Sequence, residues 1–169
     1  MAIPNPEHLF EQADRLAAGG VGRPRQADIR RAISASYYGL FHAVVSAAAD
    51  LVIGQNNRAQ PRYGLVYRSI DHQRLRELCN DAQKQALPER YRRYAPQGGF
   101  GTDIKAFATA VVELQEKRHT ADYDPMVQMK QSDAILLTGT ARAALTRFQN
   151  ANADDRAIFL TLLLFEPRR

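Results

Sequence analysis

The sequence predicts an all-α protein: an antiparallel, up-and-down bundle of about six helices, forming a single domain over residues 1–169. Apolar residues recur three and four positions apart through most of the chain, the spacing of one face of a helix. Period-2 alternation of branched residues, the mark of a half-buried strand, persists nowhere. Glycine and proline gather in stretches between the periodic segments rather than inside them. Those stretches are mostly short, so consecutive helices are expected to run antiparallel.

The first helix is expected from Pro6 to about Ala18, with Leu9, Phe10, Ala13, Leu16 and Ala17 as its apolar stripe and Gly19-Gly20 as its stop. The second is the most strongly patterned. Pro24 stands near its start, where a missing N–H costs little. From Ala27 to Ile53, Ile29, Ile33, Tyr37, Leu40, Phe41, Val44 and Val45 recur at helical spacing among alanines and serines that let neighbours approach closely. A loop containing Pro61 follows, then a third helix from about Ser69 to Gln85. Leu87 to Thr102 reads as a loop, because Pro88, Pro96, Gly98 and Gly99 oppose a long element. Inside it lies Glu89-Arg90-Tyr91-Arg92-Arg93-Tyr94, a basic run with two interleaved tyrosines that suits either a solvated charged loop or stacking on single-stranded bases. The fourth helix is expected from about Asp103 to Asp122, closed by Asp124-Pro125. The fifth is expected from Ser132, read as an N-cap, to about Asn150, and the sixth from near Asp154 to Glu166-Pro167.

Composition narrows the class of protein. A chain of 169 residues with 45% hydrophobic and 24% charged residues buries a core without disulfides or a structural metal. The mean hydropathy is −0.41, which suits a soluble chain. No run approaches the roughly 18 uninterrupted apolar residues of a membrane span. Glu7, Glu11 and Asp14 leave no apolar signal segment, so no signal peptide and no membrane contact are expected. The one cysteine, Cys79, is expected to be a small half-buried side chain, and a reducing cytoplasm fits a chain without disulfides. The net charge is +5 and arginine greatly outnumbers lysine. Arginine forks onto phosphates, which leans toward a nucleic-acid or nucleotide partner; an arginine-rich codon usage accounts for the same bias without any ligand. The four histidines, 8, 42, 72 and 119, show no ligand spacing, so no metal and no cofactor are expected. There is no phosphate-binding glycine loop, dinucleotide fingerprint or nucleophile elbow.

Two segments carry a family resemblance. One is Arg30-Arg31-Ala-Ile-Ser34-Ala-Ser-Tyr37-Tyr38-Gly-Leu-Phe41-His42; the other is Leu114-Gln-Glu-Lys-Arg118-His119-Thr-Ala-Asp122-Tyr123-Asp124-Pro125. A long helix with a Ser-x-x-Tyr-Tyr-x-x-Phe-His core, followed by a helix ending in Arg-x-x-Ala-Asp-Tyr, resembles the HEPN superfamily. The resemblance implies a helical bundle that dimerises. It implies either a metal-independent ribonuclease of a toxin–antitoxin or phage-defence system, or a non-catalytic module that binds nucleotides or proteins. An antitoxin or a nucleotidyltransferase is the protein partner it suggests. Its catalytic members carry arginine, a polar residue, about three further residues and then histidine.

In this chain Arg118 matches the arginine and His119 the polar residue, but Tyr123 stands where the histidine belongs. A phenol titrates near 10 and is a poor base at neutral pH, although it can donate a hydrogen bond; His119 is the alternative proton carrier. The resemblance therefore makes Arg118, His119 and Tyr123 the candidate catalytic residues. Five residues of helix turn through roughly 140°, so Arg118 and Tyr123 share a face only if the helix frays. His119 and Tyr123 do share one, and so do Arg118 and Asp122, which can simply form a salt bridge. Arg30, Arg31, Ser34, Tyr38 and Asp122 are candidates for contacting RNA or a nucleotide in the same cleft. For the tyrosines the plainer expectation is core packing with tied hydroxyls, and for His42 a satisfied structural role.

Overall fold

The computed structural model describes residues 3–20 and 22–167, and among these the protein is helical, with no strand. The elements are α1 (Pro6–Ala18), α2 (Gln26–Ile53), α3 (Pro61–Arg68), α4 (His72–Ala82), α5 (Glu89–Arg92), α6 (Thr102–Tyr123), α7 (Gln131–Asn150) and α8 (Ala153–Leu164). α2 is the hub: α1, α3, α6, α7 and α8 all rest on it. α6 and α7 pack on each other, and α4 closes against α6 and α8.

The long helices lie where the periodicity predicts, and their ends follow from local chemistry. Asn5 caps α1 by accepting the Glu7 N–H at 3.0 Å, with Pro6 in the first turn and Gly19 beyond the end at φ 75°. Small residues on α2 let α1 approach closely. Gly39 faces the Phe10 ring so tightly that a Cβ there would stand 2.6 Å from Phe10 Cε1. Ser36 and Thr138, both buried, bond each other at 2.8 Å where α2 crosses α7, and each is also satisfied by a carbonyl one turn back.

Among the described residues the bundle has eight α-helices rather than about six. Pro61 begins α3 instead of preventing it, because a first-turn proline lacks only an N–H that would be unpaired there anyway. The third expected helix is shorter, starting at His72 behind the Asp71 cap, whose carboxylate accepts the Arg74 N–H at 2.7 Å. The stretch expected as a loop holds the single turn α5. Its Tyr91 is fully buried and only Tyr94 is exposed, while Arg90 is tied to Asp81 at 3.0 Å and to Glu166 at 3.2 Å. The two tyrosines therefore do not form a common stacking surface. Ser132 does not cap α7; Lys130 holds that position and its N–H is taken by the Asp133 carboxylate at 3.0 Å. Cys79 is fully buried rather than half-buried, and burial pushes its thiol well above the ordinary range, so it is inert.

α2 differs from the sequence expectation in another respect. By length and composition it is apolar enough to cross a membrane, with an 18-residue window of mean hydropathy 1.3, although no uninterrupted apolar run exists. Half of that window is buried inside the bundle, where it forms the wall against which the other helices pack.

One connection positions the C-terminal end of α6. The segment after Tyr123 is tied to the first turns of α2: Gln26 exchanges bonds with the Met129 backbone at 2.6 and 3.0 Å. One turn on, the Arg30 guanidinium donates to the Ala121 carbonyl at 2.8 Å and to the Val127 carbonyl. Ala121 lies in the last turn of α6, where carbonyls lack helical partners. Arg30 thus caps α6 and holds its end against α2.

Candidate functional site

The two segments that looked familiar in the sequence meet in space. Arg118 on α6 donates from Nη2 to the Tyr38 hydroxyl of α2 at 2.5 Å. Its Nε stands 2.8 Å from Asp122 Oδ2, and Asp122 accepts from the Ser34 hydroxyl on α2 through its other oxygen. Arg118 Nε is nevertheless left without a hydrogen-bond partner, so the contact with Asp122 is an ion pair whose N–H is not aimed at the carboxylate. The guanidinium also lies 5.2 Å from the Tyr38 ring centre and 5.6 Å from that of Tyr123. Helix α6 runs unbroken to Tyr123, so side-chain reach rather than fraying brings Tyr123 to Arg118. Burial works against the charge of Arg118, but Tyr38 and Asp122 outweigh it and raise the guanidinium above its usual value. The arginine is therefore permanently charged and held from several sides. Nη1 makes no hydrogen bond among the described residues.

Next to Arg118 is a cluster of aromatic rings and two imidazoles that sequence spacing did not reveal. Tyr37 is buried and its hydroxyl bonds His72 Nδ1 at 2.9 Å, joining α2 to α4. The Tyr67 hydroxyl on α3 bonds His42 Nδ1 at 2.6 Å. His42 is sandwiched between Tyr38 and Tyr67, with ring centres 6.1 and 5.9 Å away, and His72 packs on Phe41 at 4.1 Å. Tyr38 stands edge-on to His72 at 5.6 Å, so this one ring adjoins both imidazoles and the Arg118 guanidinium. Burial holds His42 below its ordinary value, with His72 adding to the effect; burial and then the Arg118 charge do the same to His72. Both are neutral at pH 7. His42 was expected to be fully satisfied, and half of that holds: Nδ1 is bonded, while Nε2 is not.

A groove of about 400 Å³ opens between α1 and α2 beside this cluster. Leu9 and Leu16 of α1 form one side, and Arg31, Ser34, Tyr38 and His42 of α2 form the other. Of the residues singled out in the sequence, Arg31, Ser34 and Tyr38 thus share one surface, and Arg118, Asp122 and Tyr123 adjoin it through Ser34 and Tyr38. Arg30 points elsewhere, into the carbonyls at the end of α6. His119 is exposed and lies against Tyr123, 4.9 Å between ring centres, as their spacing predicted. His72 is the residue that sequence reasoning missed. It sits on a different helix, and only the packing of α4 brings it to Tyr37 and Phe41.

Among the described residues no group of three or more histidine, cysteine, aspartate or glutamate side chains is arranged to hold a metal ion. What the site offers is one fixed guanidinium, two neutral imidazoles, phenolic donors and an open groove lined partly by apolar side chains. Guanidinium and phenol groups of this kind pair with anionic oxygens, and apolar walls accept flat or apolar groups. No protein-family model, no curated protein and no solved structure matches the chain.

Proposed function

We propose that this protein is a HEPN-type RNA- or nucleotide-binding protein whose groove, with Arg118 at its edge, receives the phosphate backbone of RNA and cleaves it without metal. The observation that supports this most is the meeting of Arg118 and Asp122 with Tyr38 and Ser34, some 80 residues apart in the chain. The two segments that together carry the resemblance form one unit, and Ser34 and Tyr38 of that unit line an open groove. Arg118 stabilises the charge that builds on the phosphoryl oxygens, and the ribose 2′-hydroxyl attacks its own phosphate. We further propose that the protein works as a homodimer, with Tyr123, Met126 and Val127 as exposed apolar groups at the end of α6. On this reading it belongs to a toxin–antitoxin or phage-defence system, with an antitoxin or a nucleotidyltransferase as partner.

A second reading has its own support. Tyr123 replaces the expected histidine, and the ion pair of Arg118 with Asp122 also serves to fasten α6 to α2. In that reading the groove is a non-catalytic binding module. Both are tested by incubating the purified protein with single-stranded RNA in EDTA, beside Arg118→Ala and Tyr123→Phe. Cleavage by the wild type, lowered about 100-fold or more in folded Arg118→Ala, is the expected result. RNA binding that weakens in Arg118→Ala without cleavage favours the binding module, and no binding at all overturns the RNA reading.

A further inference from the structure

We propose that His42, in the wall of the groove, and His72, packed against the same Tyr38 ring, transfer protons in place of His119 or Tyr123, each working through its free Nε2. This rests on the RNA-cleavage reading above. Four histidines are available, and two of them, His8 and His119, are exposed. The other two are partly buried and built in the same way. In each, a tyrosine hydroxyl holds Nδ1, Tyr67 for His42 at 2.6 Å and Tyr37 for His72 at 2.9 Å. In each, aromatic rings fix the ring plane, and Nε2 makes no hydrogen bond among the described residues. Neither Nε2 is among the sealed polar atoms without a partner, so both are open to solvent.

Water can satisfy each open Nε2, and nothing in the packing occupies it. Fixing Nδ1 sets the ring orientation and leaves the other nitrogen for chemistry, the division of labour that a proton-transferring histidine needs. The phosphate-binding group is alongside. Tyr38 accepts from Arg118 at 2.5 Å and its ring packs against both imidazoles, so one ring links the guanidinium to each of them.

The step balances without any further reactant. The Nε2 of one neutral imidazole takes the proton of the ribose 2′-hydroxyl. The 2′-oxygen forms a bond to phosphorus and the bond to the 5′-oxygen breaks. The other imidazole, in the fraction of molecules that carries it protonated and that grows as pH falls, gives its proton to that leaving oxygen. The products are a 2′,3′-cyclic phosphate and a 5′-hydroxyl end. Groups facing the pair are Tyr37, Tyr38 and Phe41 from α2, Tyr67 from α3, Asp71 beside α4, and Arg118 with Gln115 from α6, the last donating to the His72 carbonyl at 3.1 Å. Tyr37 and Tyr67 are pushed up by burial and stay protonated, so the imidazoles are the groups that titrate near neutrality.

The test follows the rate of cleavage of a defined single-stranded oligoribonucleotide against pH in EDTA, for the wild type, His42→Gln, His72→Gln, His119→Gln and His8→Gln. A 2′-O-methyl version of the same oligonucleotide, which binds but cannot react, measures affinity. We expect a bell-shaped profile for the wild type and for His8→Gln. His42→Gln and His72→Gln should each lose about 10²- to 10⁴-fold in rate and one limb of the bell, with affinity for the 2′-O-methyl probe kept within a few-fold. Imidazole NMR of the wild type needs no variant: the Nε2 signals of His42 and His72 should shift on saturation with the probe while those of His8 stay. Unshifted His42 and His72 signals with the probe bound would overturn the proposal, as would full activity in both variants, or activity lost only in His119→Gln. Probe binding without any cleavage overturns this inference and leaves the binding reading standing; no binding removes both.

Discussion

Arg118 shows how one side chain can hold a fold together and still face a ligand. Its guanidinium ties α6 to Tyr38 and Asp122, yet Nη1 has neither a hydrogen bond nor an ion pair among the described residues, and the charge is secure. Arg30, which looked equally suited to phosphate, is instead occupied by two backbone carbonyls. The histidines carry a consequence for stability. Both titrate below 6.5 in the folded protein because they are partly buried. Above that value neither the folded nor the unfolded chain holds the proton, and their contribution is whole. As pH falls through 6.5 the unfolded chain protonates first, and stability is lost until the lower folded values are passed. Denaturant midpoints should therefore drop between about pH 7 and 5. The drop should be smaller in the His42→Gln/His72→Gln double variant; an equal drop would place the titrating groups elsewhere.

At the scale of elements, the close seat of α1 on α2 depends on Gly39. A methyl group there overlaps Phe10, which is fully buried and has nowhere to go. Overpacking of this kind costs about 1–3 kcal/mol, against a gain of ~1 kcal/mol in helix propensity. Gly39→Ala should lower stability, while Gly139→Ala on α7, where nothing lies within 4 Å of the new carbon, should raise it by about 0.5–1 kcal/mol. Urea unfolding of the two variants checks both signs. The same logic explains α3. The stretch containing Pro61 reads as a loop, yet Pro61 opens a helix and Gly64 is buried within it. Punctuation residues have opposite meanings at a helix start and in its interior, and one sequence does not say which applies.

At the scale of the molecule, the core is continuous from α1 through α2 to α6, α7 and α8. Phe159 shows the linkage: it touches Phe100, Phe107 and Phe148 at ring distances of 5.9, 5.6 and 6.1 Å, joining α8 to α6 and α7. Phe159→Ala should cost about 3–5 kcal/mol. Because the core is shared, the whole transition should move as one, with far- and near-ultraviolet signals coincident. Two separated transitions would mean that α8 folds apart from the rest.

The sequence by itself determined the class and the long elements. Helical periodicity over Pro6–Ala18, the second helix and the fourth is a local property, set by which residues share a face, and local rules suffice to read it. It also placed Arg118 with Asp122 and His119 with Tyr123, since both pairs lie one helical turn apart. Tertiary structure decided everything that depends on neighbours distant in the chain. It turned Arg30 into a helix cap, buried Tyr91 and left Tyr94 outside, and carried His72 on α4 to the side of Tyr38 and Arg118. The physical reason is that a side chain's role follows from what it touches, and contacts between helices are fixed by packing rather than by spacing along any one of them.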